Sequence, residues 1–181
     1  MSADELTVRP RSADFGTPDE WLTKVQADVV LAFFGFNESF KGAEGLAKFR
    51  SDLEKFIADT RKANYSGKGA PGLVLFSPIA AEKHTDVNMP DPAPINRQLE
   101  PYVKAMREVA TANNVQFVDL FAPSQKSYAS SKQSLTINGI HLTDDGYKAL
   151  APAMFSAVFG GNAPDMASAG ARRTSARRTN G

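Results

Sequence analysis

Two short apolar runs, Val29-Val30-Leu31-Ala32-Phe33-Phe34 and Leu73-Val74-Leu75-Phe76, do not alternate polar with apolar residues. Successive side chains of a strand point to opposite faces, so a run that is apolar throughout reads as a strand buried on both sides. A third short strand is expected at Val115 to Leu120. Between the strands, Leu46, Phe49, Leu53, Phe56 and Ile57 recur at helical spacing, as do Leu99, Tyr102, Val103, Met106, Val109 and Ala110 from Ile95 onward. Strands alternating with helices of this length predict an α/β domain with a parallel sheet covered by helices on both faces.

The ends of these elements carry their own signals. Thr17-Pro18-Asp19-Glu20 combines a capping threonine, a first-turn proline and a glutamate three residues on, so a short helix should run to about Gln26 with Trp21, Leu22 and Val25 on one side. Gly35 to Ala43 reads as a loop, Gly67 to Gly72 as a breaker, Asn113-Asn114 as a helix stop, Pro123 to Ala129 as a small helix and Thr143 as the start of the last one. Residues 1–16 are polar and irregular, 17–159 form the expected domain, and the glycine, alanine, serine and arginine-rich tail 160–181 is expected to be disordered. Three strands make a narrow sheet with an open hydrophobic edge, whose expected apolar contacts are Val30 and Phe34.

Composition removes several classes of function. There is no cysteine, so disulfides, thiolate metal sites and a cysteine nucleophile are excluded. The longest apolar stretch, Val29 to Phe36, falls far short of the roughly 20 residues of a membrane span, and no membrane partner is expected. The formal charge is +1; Arg172, Arg173, Arg177 and Arg178 against Asp165 put +3 on the tail and leave −2 on residues 1–159. A nearly neutral body has no basic face, so no nucleic-acid partner is expected. The two histidines are far apart, and the glycines at 67, 69 and 72 precede a strand, so neither a metal site nor a phosphate loop is expected, and no cofactor is implied.

Ligands of parallel sheets bind at the carboxyl ends of the strands, which points to Gly35 to Ser39, Ser77 to Ala81 and the loop after Leu120. In Gly35-Phe36-Asn37-Glu38, glycine permits a sharp turn, and Asn37 is either a donor projecting into the crevice or a turn residue satisfying its own loop. In Asn138-Gly139-Ile140-His141-Leu142-Thr143, His141 is either a general base whose ring Asn138 orients, or a histidine placed by the helix start. His84 reads as a solvated loop residue, and Asp144-Asp145 as charges favoured at a helix N-terminus.

Taken together, the order and spacing of the two segments resemble the SGNH hydrolases, the GDSL lipase and esterase family. There Gly-x-Asn-Asp follows a central strand and its asparagine donates to the oxyanion hole, while Asp-x-x-His near the carboxyl end supplies the base. The resemblance covers roughly residues 15–159 and extends to Phe117-Val118-Asp119-Leu120 and Gly146-Tyr147. It implies a three-layer α/β/α, flavodoxin-like fold and hydrolysis of acyl esters, small acyl groups on carbohydrates among them, through an acyl-serine. It also implies Asn37 and His141 as catalytic residues with Asn138 beside them, Gly35, Glu38 and Ser77 as binding residues, and a small ester as partner.

The departures carry expectations too. Glu38 stands where aspartate is usual, which a residue organising a loop should tolerate. Asn138 stands where the family has the aspartate that supports the protonated histidine, so a weaker base, or a carboxylate recruited from elsewhere, is expected. The Gly-Asp-Ser motif of the nucleophile has no counterpart before Gly35, where the serines are Ser2 and Ser12; Met1-Ser2-Ala3-Asp4 resembles the stretch just after the family's glycine motif. The chain is therefore expected to be truncated, inactive alone, and without the family's first strand beside the one ending at Phe34. Ser39 and Ser77 are the serines in the chain that could replace the nucleophile. The alternative is a non-catalytic module that binds a small ligand, or whose exposed edge strand pairs with a partner chain that completes the sheet, with self-association through that edge as one such pairing.

Overall fold

The computed structural model describes residues 4–8, 15–84, 86 and 88–164; the arginine-rich part of the tail, with the disorder expected for it, lies outside them. Its elements run in the order α1 (Pro18–Lys24), β1 (Val29–Phe33), α2 (Phe36–Ser39), α3 (Gly42–Thr60), β2 (Gly72–Phe76), α4 (Pro92–Ala112), β3 (Gln116–Val118), α5 (Phe121–Ser130) and α6 (Asp144–Phe159). The strands form one parallel sheet in sequence order, with Val29 opposite Gly72, Phe33 opposite Phe76 and Phe76 opposite Val118. The result is the expected three-layer α/β arrangement.

Helix starts follow local chemistry. The Thr17 hydroxyl accepts from Glu20 N at 3.2 Å while Thr17 N donates to the Glu20 carboxylate at 2.6 Å, the expected reciprocal cap, worth about 1 kcal/mol in such helices. This helix stops at Lys24, short of Gln26, which has the left-handed φ of 51°. Its Trp21 and Val25 remain exposed, so the apolar side does not reach the core. Helix α4 begins at Pro92 and not at Ile95, because the Asp91 side chain caps it by accepting from Ala93 N at 3.1 Å and proline is tolerated at the first helical position. The expected loop Gly35 to Ala43 contains the single turn α2 and the first residues of α3.

Helices α3 and α4 cover one face of the sheet, where Phe49, Leu53 and Ile57 meet Tyr102, Ala105, Met106 and Val109 over Ala32 and Leu75. Helix α6 covers the other face through Met154 and Val158, packed on Val74, Phe76, Val118 and Leu120. That cover reaches β2 and β3 only. Val29, Leu31 and Phe33, which share its face by register, are 56%, 50% and 52% exposed, although Phe33 stacks on Phe76 with ring centroids 4.4 Å apart. β1 is therefore not buried on both faces, as its continuous apolar run suggested. By register Val30, in the edge strand, shares the α3 and α4 side with Leu73, and Phe34 just beyond the strand packs against that core and edge-on to Phe56. Among the described residues no helix is long and apolar enough to cross a membrane.

Candidate active site

The turn after β1 is built around Gly35, whose φ of 103° lies in the left-handed region and whose Cβ, if it had one, would come within 3.1 Å of Met106 Sδ. Its amide donates to Glu38 Oε2 at 2.9 Å, and the other carboxylate oxygen accepts from Leu6 N at 3.0 Å. Glu38 is buried and ties the turn to the amino-terminal segment. Asn37 donates through Nδ2 to the Asp4 carbonyl at 2.9 Å. That bond uses one of the two amide hydrogens, fixes which end of the carboxamide is nitrogen, and leaves the second hydrogen for another acceptor. Lys41 closes the segment by pairing with Glu5, and this hydrogen-bonded carboxylate raises the ammonium pKa above its ordinary value.

The second group lies before α6. Asn138 Oδ1 accepts from His141 N at 3.1 Å and Ile140 N at 3.4 Å, and stands 3.0 Å from His141 Nδ1. Backbone N–H groups only donate, so the atom facing them is the carboxamide oxygen, and Nδ1 must carry the ring proton to reach it. The lone pair is then on Nε2. Asn138 and His141 are both exposed residues. Among the described residues no carboxylate is hydrogen-bonded to the ring.

Ser77 and Ser39 are both buried at strand or helix ends. The Ser77 hydroxyl accepts from Leu120 N at 2.8 Å and Phe121 N at 3.2 Å and donates to the Pro78 carbonyl at 3.0 Å, so it joins the end of β2 to the start of α5. The Ser39 hydroxyl donates to the Phe36 carbonyl at 2.6 Å. Both hydroxyl hydrogens are thus committed to nearby carbonyls, and no serine hydroxyl is hydrogen-bonded to the His141 ring among the described residues.

The exit of β2 connects the two groups. Pro78 lies against the Gly35 turn, with its Cγ 3.4 Å from the glycine's would-be Cβ, and Glu82 N donates to the Gly139 carbonyl at 2.8 Å. His84, expected in solvent, is half-buried; its Nε2 donates to the Thr136 carbonyl at 3.2 Å, and its buried Nδ1 has no partner among the described residues. Glu82 and the Asp4 carbonyl are contacts that the sequence reading missed. A lone glutamate in Ile79-Ala80-Ala81-Glu82, directly after a buried strand, was the available signal for the first. A hollow of about 250 Å³ lined by Val103, Arg107, Asp119 and Phe121 contains no residue of the Gly35 or Asn138 segments. Among the described residues no three His, Asp or Glu side chains gather as metal ligands.

Known structures share the fold. An acetylxylan esterase from Geobacillus stearothermophilus superposes with a TM-score of 0.57 at 18% identity, over 76% of this chain and 62% of its own. LAE5, an alpha/beta hydrolase enzyme from the metagenome of Lake Arreo, Spain, gives 0.57 at 18% identity over 77% and 63%, and the lipase/acylhydrolase from Enterococcus faecalis 0.51 at 24% identity over 77% and 65%. The chain thus spans less than two thirds of the length of these proteins. No curated protein sequence matches it. The profile of the GDSL-like Lipase/Acylhydrolase family matches residues 6–149, which include both motifs and the whole sheet, and the chain belongs to that family.

Proposed function

We propose that this chain carries the oxyanion and base half of an acyl-ester hydrolase site, with Asn37 as oxyanion donor and His141 as general base. The observation that carries the reading is the His141 ring, held at Nδ1 by the Asn138 carboxamide oxygen, which leaves the ring lone pair on Nε2. A nucleophilic hydroxyl attacking the ester carbonyl would give its proton to Nε2, and the second Asn37 amide hydrogen would meet the developing oxyanion. Collapse expels the alcohol, which takes that proton back. Water then repeats the sequence on the acyl-enzyme, releasing the acid and restoring the nucleophile. Small acyl esters of carbohydrates are the substrates to try first, in line with the similarity to an acetylxylan esterase. Gly35 and Glu38 shape the binding turn, and buried Ser77 would hold the exit of β2, whose Pro78 lies against that turn.

Because the hydroxyls of Ser39 and Ser77 are buried and bonded, the isolated 181-residue chain should be nearly inactive; loss of a triad nucleophile lowers turnover by about a millionfold. Labelling with a fluorophosphonate, followed by mass spectrometry to locate an adduct, tests this, with His141→Ala as control. No serine adduct is expected. One serine labelled in the parent and unlabelled in the control would overturn the half-site reading and identify a nucleophile.

The exposed row Val29, Leu31 and Phe33, beside the outer edge of β1 that no strand among the described residues pairs with, favours a second reading, in which the edge pairs with another copy of the chain. Light scattering of the parent and of a Leu31→Lys, Phe33→Lys variant decides it. A dimer lost in the variant supports the edge interface, and a monomer in both discards it.

A further inference from the structure

We propose that Glu82 is a positioning residue for His141, acting through Thr136 and Gly139; the inference rests on the reading of His141 as base. Glu82 is 6% exposed, and no Lys or Arg pairs with it among the described residues. Its charge is held by hydrogen bonds alone: Leu135 N donates to Oε1 at 2.9 Å, and Thr136 N and Thr136 Oγ1 donate to Oε2 at 2.7 and 2.5 Å. The Thr136 hydroxyl in turn accepts from Gly139 N at 3.0 Å, while the Gly139 carbonyl accepts from Glu82 N. Both polar groups of Gly139's backbone are thereby anchored to the exit of β2, one directly and one through a single hydroxyl.

Gly139 stands between Asn138 and the His141 pair, at a φ of 87° that glycine adopts without strain. The rest of the loop closes on itself, with Ile137 N donating to the His141 carbonyl at 2.7 Å and Thr143 N to the Leu135 carbonyl at 2.9 Å. These rungs define the shape of the loop but not its place on the domain. Glu82 supplies that place, with His84 Nε2 on the Thr136 carbonyl beside it. A buried carboxylate with no cation is costly unless its oxygens are satisfied, so the loop amides and Glu82 require each other. Glu82 does not touch the ring; it holds the backbone from which Asn138 reaches Nδ1.

The experiment uses the full chain carrying Glu82→Ala, with Thr136→Val as a second, milder variant and Asn138→Ala as the reference for a released ring. Two readouts are taken by NMR: the ring nitrogen shifts of His141, which report whether the proton stays on Nδ1, and amide exchange at Gly139 and Leu75. Only two histidines need assignment. In Glu82→Ala the His141 ring should move toward the mixed tautomers of the Asn138→Ala reference, and the Gly139 amide should exchange about tenfold faster while Leu75 keeps its protection. Thr136→Val should show the same pattern to a lesser degree, and this variant decides the matter if Glu82→Ala does not fold. An unchanged His141 ring in either folded variant overturns the proposal, as does equal loss of protection at Leu75 and Gly139. Because neither readout needs turnover, failure of the half-site reading is distinguishable from failure of this proposal: it would appear as a serine adduct in the labelling experiment, whatever the His141 ring and the Gly139 amide show.

Discussion

The two motif loops are held by the same device at very different sequence distances. At the Gly35 turn, a buried carboxylate three residues away accepts the glycine amide; at the His141 loop, a buried carboxylate more than fifty residues away accepts two amides and a hydroxyl. The first clamp forms inside one turn of chain and sits on the core, against Met106 and Phe49. The second joins the loop before α6 to the exit of β2 and leaves Asn138 and His141 exposed at its tip. A local clamp should therefore matter chiefly for global stability, and a remote one for where a loop stands on an otherwise intact domain.

The largest effect that would test this contrast lies at the local clamp. Gly35→Ala should cost about 3 kcal/mol, combining left-handed strain with the close approach to Met106 Sδ. Glu38→Ala, which leaves the buried Gly35 amide without its acceptor, should cost about 2 kcal/mol. Urea unfolding of both variants checks the order, and a loss at Glu38 as small as that of an exposed side chain would break the comparison. A smaller effect concerns Tyr128, which donates to the Ala80 carbonyl beside the remote clamp. Burial, with the Glu82 charge adding to it, pushes its phenol from 10.0 to about 12. The neutral phenol is thus favoured in the folded state. Its contribution is complete below pH 10 and is lost as pH rises toward 12. Tyr128→Phe should flatten part of the stability loss in that window, measured by thermal unfolding across pH 9 to about 12.

Much of the architecture was legible because the forces that define it are local or periodic. Helices α3 and α4 announce themselves through apolar residues at helical spacing, and Thr17 and Glu20 mark a helix start by bonds that span three residues. Asn138 and His141 meet for the same reason: both lie in one short loop before a capped helix. The exposure of β1 was not legible. An apolar run looks alike whether its second face is covered or bare, and only the reach of α6 across β2 and β3 distinguishes the two. Nor could spacing reveal that Asn37 meets the Asp4 carbonyl, or that the acidic partner of the His141 loop is Glu82 holding its backbone and not its ring.

By itself, then, the sequence determined the alternation of strands and helices, the turn that only glycine fits at 35, and the family to which the two motifs belong. Those features depend on side-chain periodicity and on bonds closed within a few residues. Tertiary structure alone decided which face of β1 stays open, which serine hydroxyls are buried, and how the end of β2 is joined to the His141 loop. Each depends on groups far apart in the chain, and their meeting is set by the packing of whole elements.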